Sequence, residues 1–147
     1  MESFGVVHID DVAVTDVWER LKADQRAVLV DVRTRAEWAF VGLPDLSGLG
    51  KRLLTQEWQT FPDSRVDPAF AQHLGAALKA AGVGEDDEIF FICRSGGRSR
   101  MAAEALAANG FRRCRNVAEG FGGPLDQGRH RGRLTGWKAA GLPWVQG

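Results

Sequence analysis

Cysteine is scarce in this sequence of 147 residues, which contains only Cys93 and Cys114. Two cysteines are too few for a disulfide framework and have no metal-ligand spacing, so we expect reduced thiols, a cytoplasmic protein and no cofactor. No apolar run approaches the length that spans a membrane, and the first ten residues lack the basic and apolar regions of a signal peptide. The length and an apolar fraction of 44% fit a single domain over residues 1–147.

Net charge is formally zero, but the two parts of the chain differ in sign. Residues 1–92 contain 9 Lys and Arg against 16 Asp and Glu, whereas residues 93–147 contain 10 against 3. A positive region suits a small anionic substrate as well as weak contact with nucleic acid. We expect the small anion, with no nucleic-acid or membrane partner, and we expect the basic segment 129–133 to recruit an anion or a protein.

The most informative segment is residues 89–99, in which four apolar residues lead into a cysteine and then into glycine and arginine. The apolar run predicts a strand that is buried on both faces, and the residues from 98 to 109 have the apolar period of a helix. Cys93 is therefore predicted to lie on a strand-to-helix loop. Unpaired N–H groups and the helix dipole attract an anion at such a position.

The composition of this loop indicates a reactive cysteine. Gly96 and Gly97 allow successive N–H groups to point inward, while Arg94 and Arg98 add fixed positive charge. The same field favours the thiolate, which is the nucleophilic form of Cys93. The alternative interpretation is a small buried hydrophobic residue at the end of the strand. Two further loop residues, Ser95 and Ser99, are candidates for hydrogen bonds to the loop or to the substrate.

A second near-continuous apolar run, residues 27–32, contains a carboxylate close to its end. A buried acid is costly unless it is hydrogen-bonded or paired, so Asp31 is expected to bind loop N–H groups or a nearby basic residue. Because the carboxyl ends of parallel strands meet at one edge of a sheet, Asp31 and Cys93 should share that edge. The i, i+4 spacing of Arg33 and Glu37 indicates a pair on the helix that follows.

The rest of the chain predicts further elements around these two strands. We expect a strand at 6–9, a helix at 16–23 with Thr15 or Asp16 at its start, a helix at 34–41, a helix from Pro68 to 81 after Asp67, and a strand at 111–118. The helix after the cysteine loop should turn Met101 toward the sheet. Segment 126–147 should dock on the body through residues such as Trp137 and Trp144.

Two features keep two interpretations each. Segment 42–68 is mostly loop with one short strand within 52–56, and it either walls a pocket or is pinned to the core by Trp58 and Phe61. Cys114 lies among three arginines that could activate it as a resolving thiol, although a packed cysteine is the favoured reading.

These motifs resemble those of the rhodanese-like (sulfurtransferase) family. Residues 93–99 resemble its active-site loop, Asp31-Val-Arg33 with Glu37-Trp38 its strand-and-helix signature, and Asn116-Val117 before Glu119-Gly120 its final strand and turn. Residues 6–125 carry the resemblance. It implies an α/β fold with a mostly parallel five-stranded sheet flanked by helices on both faces, and a Cys93 that cycles between thiolate and persulfide. Glu119 departs from the family pattern, since glycine is common there.

The resemblance implies a sulfurtransferase that moves sulfane sulfur from thiosulfate or a related anionic donor to cyanide or a thiol. Arg94, Ser95, Gly96, Gly97, Arg98 and Ser99 would bind the substrate, and Asp31, Arg33 and Glu37 would support the loop. One rival is a cysteine phosphatase or arsenate reductase, although only four residues separate Cys93 from Arg98, whereas phosphatase loops have five. Another is a persulfide carrier that serves a protein acceptor. We expect a monomer or a weak dimer.

Overall fold

The computed structural model of the protein describes residues 8–60, 63, 65–123 and 135–146. A 3₁₀ turn covers Ser47–Leu49. The other elements, in chain order, are β1 (Asp10–Val12), α1 (Val14–Ala23), β2 (Val28–Asp31), α2 (Arg35–Phe40), β3 (Leu43–Pro44), β4 (Leu54–Thr55), α3 (Phe70–Ala80), β5 (Ile89–Ile92), α4 (Gly97–Ala107), β6 (Cys114–Val117) and β7 (Trp144–Val145). None of these helices has the length and apolar character needed to cross a bilayer.

Five strands form one parallel sheet in the order β1-β6-β5-β2-β4, which confirms the predicted α/β fold. β3 and β7 form a separate antiparallel pair. In the central ladder, Asp31 pairs with Ile92, the residue before Cys93. The carboxylate and the cysteine therefore lie at the same edge of the sheet, as the sequence predicts.

Helices cover both faces of the sheet, and β5 has apolar side chains on both of these faces. Alternate residues of a strand point to opposite faces. Ile89 and Phe91 pack in the cluster that contains α3 and α4, whereas Phe90 and Ile92 pack in the cluster that contains α1. All four side chains are fully buried, which explains why this strand is an uninterrupted apolar run.

The first two predicted elements are misplaced. Of the residues predicted as a strand at 6–9, residues 6 and 7 lie outside the described part, and residues 8 and 9 are in no strand. β1 begins later because its ladder partners are residues 115–117 of β6. α1 begins at Val14 after Ala13, and no side chain caps it, so the predicted start at Thr15 or Asp16 is wrong.

The sheet-facing side of α4 also differs from the prediction. Met101 is 44% exposed rather than turned toward the sheet. The buried residues of α4 are Ser99, Ala102, Ala103 and Leu106, which follow the i, i+3, i+4, i+7 pattern of one helical face. Small residues on this face let the helix lie close to the sheet. The other predicted helices and strands are present with bounds that differ by no more than three residues.

Segment 42–68 contains the predicted short strand, β4, which pairs with β2. Its Trp58 meets Phe70 of α3 edge to face, with ring centroids 5.0 Å apart. Phe61 lies outside the described residues. At the end of this segment, Asp67 accepts hydrogen bonds from the N–H groups of Ala69 and Phe70 and so begins the turn into α3.

The segment 135–146 packs against the α1 face of the sheet. Trp137 is fully buried and meets Trp18 of α1 edge to face at 5.9 Å. Its indole N–H donates to the carbonyl of Pro143 at 2.7 Å, so the polar atom of this buried ring is satisfied. The backbone N–H of Trp137 donates to the carbonyl of Gly120, which connects this segment to the turn after β6.

Candidate active site

Cys93 follows β5 directly, and three residues separate it from the start of α4. Cys93 is only 1% exposed, and its Sγ accepts a hydrogen bond from the N–H of Gly96 at 3.1 Å. Gly96 adopts a φ of +110°, a backbone region that disfavours residues with a side chain. The Oγ of Ser99, in the first turn of α4, lies 3.2 Å from the same sulfur. The loop thus places two polar neighbours on Sγ.

Asn116 of β6 holds both of these neighbours. Its Nδ2 donates to the carbonyl of Gly96 at 3.1 Å, and its Oδ1 lies 2.5 Å from the Oγ of Ser99. The same Nδ2 donates to the carboxylate of Asp11 on β1 at 2.9 Å. Asp11 is in turn paired with Arg100 of α4. A polar network therefore links the cysteine loop to the edge strand of the sheet.

The turn after β6 binds the beginning of the cysteine loop through its backbone. Phe121 N–H donates to the carbonyl of Cys93 at 2.8 Å, and Gly122 N–H donates to the carbonyl of Arg94 at 3.0 Å. Gly120 approaches so closely that an added Cβ would lie 2.6 Å from the carbonyl oxygen of Arg94 and closer still to that of Cys93. Only glycine fits this position, which fixes the path of the loop.

Arg98 is bound to Glu37 of α2 rather than left free in the loop. Its Nη1 and Nη2 donate to the two carboxylate oxygens at 2.7 and 2.9 Å. Burial alone would raise the pKa of Glu37, but the hydrogen bonds and charge of Arg98, with the N–H of Thr34, lower it to about 2. The pKa of Arg98 is raised, chiefly by its hydrogen bonds to Glu37. This pair joins α2 to the cysteine loop.

The predicted pair between Arg33 and Glu37 is wrong. Arg33 turns back toward the strand and binds Asp31, with Nη2 and Oδ2 separated by 2.7 Å, and both side chains are buried. Its Nη2 also donates to the carbonyl of Gly42 at 2.6 Å, and its guanidinium lies 4.3 Å from the ring centre of Phe121. Asp31 thus has the basic partner that the sequence predicts for it.

An open cavity of about 480 Å³ lies on one side of the loop. It is lined by Thr34, Ala36, Glu37, Phe40, Val41, Gln59, Thr60, Arg94 and Arg98. Among the described residues, the guanidinium of Arg94 has no hydrogen-bond partner, so its charge is available to a ligand. Phe40 is 79% exposed at the same cavity. Segment 42–68 contributes Gln59 and Thr60, which agrees with its predicted role as a pocket wall.

A second open cavity lies on the other side of the loop. It is lined by Asp11, Ser95, Gly96, Gly97, Arg100, Asn116, Ala118 and Glu119. Ser95 and Gly97 are exposed here, whereas Ser99 is fully buried beneath them. The structure therefore brings all seven loop residues together, but Ser99 lies against the sulfur and not at the surface.

Cys114 has none of the features of a reactive thiol. Burial is the largest influence on it and raises its pKa to about 12, although the charge of Arg115 acts in the opposite direction. The three neighbouring arginines form ion pairs with acidic residues of the 85–88 turn, so little of their charge reaches the sulfur. The packing role that the sequence favours fits these observations better than a resolving thiol.

Two questions about ligands concern regions away from the loop. The basic segment 129–133 lies outside the described residues. Among the residues that are described, no group of three or more His, Cys, Asp or Glu is arranged to hold a metal ion.

Sequence reasoning missed the roles of Asn116 and Asp11 and the pairing of Arg98 with Glu37. Asn116 was noted only as part of a motif, and its partners lie 20 and 105 positions away in the chain. An asparagine inside a predicted strand of the sheet is the one sequence signal that points to such a role, because a buried amide requires partners.

Fold and site together define an α/β protein with a cysteine in an arginine-flanked loop at a helix N-terminus. Among known proteins, the sequence model of the STR4 middle domain family matches residues 10–147. The chain belongs to this family, which is rhodanese-like.

Individual relatives agree with this assignment. A crystal structure of Rv0390 from M. tuberculosis superimposes with a TM-score of 0.82 at 43% identity and covers 96% of this chain and 100% of its own. An uncharacterized protein of Rickettsia rickettsii, an RP600 homolog, is 34% identical over 92% of this chain and 97% of its own length. The chloroplastic rhodanese-like domain-containing protein 4 of Arabidopsis thaliana is 28% identical over 89% of this chain and 24% of its length.

Proposed function

We propose that this protein is a rhodanese-type sulfurtransferase that uses Cys93 as its nucleophile. Membership of a rhodanese-like family supports a sulfur-related function at the family level. The observation that carries the proposal is the setting of Sγ, which accepts the Gly96 N–H inside a loop flanked by Arg98 and by Arg94, whose charge has no partner among the described residues. Hydrogen-bond donors and cations stabilise a thiolate and a persulfide anion.

The reaction proceeds in two displacement steps. The Cys93 thiolate attacks the outer sulfur of thiosulfate, a new S–S bond forms, and sulfite leaves with the electron pair of the bond that breaks. A second nucleophile, cyanide or a thiol, then attacks the outer sulfur of the persulfide and regenerates the thiolate. Arg94 orients the departing oxyanion, since its guanidinium has no partner among the described residues, and Arg98 contributes charge.

The remaining candidate residues support the loop. Gly96 and Gly97 supply backbone N–H groups, and Ser95 is exposed to a substrate, whereas Ser99 contacts Sγ from below. The pairs Asp31–Arg33 and Glu37–Arg98 hold the neighbouring elements in place. We further infer a cytoplasmic location, because the reaction requires a reduced cysteine, and a monomer or weak dimer.

Intact mass after incubation with thiosulfate tests this function. We expect the wild-type protein to gain one sulfur, to lose it on addition of cyanide, and to keep its mass unchanged in the Cys93→Ser variant. Cys114→Ser is the matched control and should behave as the wild type. A Cys93→Ser protein with full thiosulfate:cyanide sulfurtransferase activity would contradict the proposal, and turnover of an aryl phosphate or arsenate would support the phosphatase or reductase rival.

The exposure of Phe40 favours a second candidate, a persulfide carrier for a protein acceptor. An aromatic ring that is 79% exposed at the rim of the cavity is suited to contact with another protein. Under this alternative, transfer to cyanide is slow, transfer to a protein thiol is fast, and Phe40→Ser slows only the transfer to the protein thiol. Equal effects of Phe40→Ser on both reactions would count against the carrier.

A further inference from the structure

The orientation of the Asn116 side chain is fixed by its neighbours. Nδ2 faces the Asp11 carboxylate at 2.9 Å and the Gly96 carbonyl at 3.1 Å. Both of these groups accept hydrogen bonds and cannot donate them. A flipped amide would turn its own oxygen toward two acceptors, so Oδ1 must be the atom that faces Ser99.

This orientation determines the position of the Ser99 proton. Oδ1 can only accept, so the Ser99 hydroxyl donates to it over a distance of 2.5 Å. A hydroxyl has a single proton, and Ser99 therefore presents a lone pair to Sγ, 3.2 Å away. A protonated Cys93 fits this arrangement, because its S–H can donate to that lone pair.

The arrangement does not fit an ionised Cys93. A lone pair of Ser99 would then face the negative charge of the sulfur, so the hydroxyl must rotate and donate to Sγ, which breaks its bond to Asn116. Ser99 is fully buried and Asn116 is 3% exposed, so bulk water is not at hand to replace the lost partner.

We propose that the Ser99 hydroxyl is a two-position switch and that Asn116 competes with the Cys93 thiolate for its proton. Asn116 is thus a positioning residue that restrains ionisation of the cysteine without touching it. The consequence for turnover rests on the proposed function: once sulfur transfer moves the charge to the outer sulfur, the hydroxyl returns to Asn116.

Titration of the thiolate by its ultraviolet absorbance tests the switch without any sulfur donor. Each variant is measured against a version that also carries Cys93→Ser, so that only Cys93 contributes. The variants are Asn116→Leu, Ser99→Ala and the double variant, with Asn109→Leu, at an exposed turn position two residues beyond the end of α4, as the control. The charged groups near the loop stay in place in all variants: Asp11, Asp31, Arg33, Glu37, Arg94, Arg98, Arg100 and Glu119.

We expect Asn116→Leu to lower the titration midpoint of Cys93 when residue 99 is serine. Relative to its effect when residue 99 is alanine, this shift should be lower by about half to one pH unit. Release of the Gly96 carbonyl acts in both backgrounds and cancels in this difference. Ser99→Ala alone should raise the midpoint, and Asn109→Leu should not move it. Equal shifts of Asn116→Leu in the two backgrounds, or a reversed difference, would overturn the switch.

Two features of the design keep the test decisive. Asn116→Val retains strand propensity and serves if the leucine variant does not fold, which far-ultraviolet circular dichroism will show. The titration also separates the two proposals, because a protein that never accepts sulfur from thiosulfate can still show the predicted difference.

Discussion

At the scale of single residues, the carboxylate of Glu37 makes the fold sensitive to acid. Its pKa is about 2 in the folded protein and 4.5 as the ordinary value, so its stabilising contribution is complete above pH 4.5 and is lost as pH falls toward 2. Both side chains of the Glu37–Arg98 pair are about one-fifth exposed. We expect Glu37→Gln to lower the free energy of unfolding by about 1–3 kcal/mol at pH 7, and by less at pH 3.

Urea unfolding at the two pH values measures this difference. Glu104→Gln on α4 is the control, since the Glu104 side chain has no partner among the described residues, and its effect should be small and independent of pH. A Glu37→Gln penalty that is the same at pH 3 as at pH 7 would show that the charge of Glu37 does not stabilise the fold.

The backbone conformation of Glu119 has a measurable cost in the stability of the fold. It is the one described residue other than glycine with a positive φ, at 64°, and its side chain is exposed. The left-handed conformation costs about 1–2 kcal/mol in a residue with a Cβ, and replacement by glycine removes this cost. Part of that stabilisation is lost again because glycine has greater conformational freedom in the unfolded chain. Glu119→Gly should therefore raise the free energy of unfolding by about 0.5–1 kcal/mol in urea denaturation, whereas Ala118→Gly should lower it.

At the scale of elements, the turn after β6 and the cysteine loop act as one unit. Gly120→Ala forces a Cβ against the carbonyls of Cys93 and Arg94, whereas Gly82→Ala, at a similar φ of +82°, meets open space. Both variants should lose about 1 kcal/mol from backbone strain. Gly120→Ala should in addition displace the loop and slow persulfide formation at least tenfold, measured by mass after brief exposure to thiosulfate. Equal rates for the two variants would contradict this coupling.

The sequence predicts an element well when neighbouring residues determine it, and poorly when residues far away in the chain do. The buried strands and the strand-to-helix loop follow from local patterns, and the structure confirms them. The partner of Glu37 does not, because a sequence pattern identifies Arg33 four residues earlier, while the actual partner is 61 positions away. The predicted position of β1 is wrong for the same reason, because an edge strand begins where the neighbouring strand can pair with it.

At the scale of the whole molecule, the segment 135–146 completes the hydrophobic core on one face of the sheet. Trp137 is fully buried, whereas Trp144 is 39% exposed and lies 3.9 Å from the Lys138 ammonium. We expect Trp137→Ala to cost about 3–5 kcal/mol in urea unfolding followed by circular dichroism, and Trp144→Ala to cost markedly less. Similar costs for the two variants would mean that burial of Trp137 is not what secures this segment.

The strand order has a consequence for how the protein folds. In the part of the chain that the structure describes, β1 is the first strand, yet its only neighbour in the sheet is β6, more than a hundred residues later. Contacts between distant parts of a chain slow folding because a large loop must close before they form. During synthesis, Cys93 emerges before Asn116 and Gly120, so the nucleophile exists in the nascent chain before the residues that hold its loop in place.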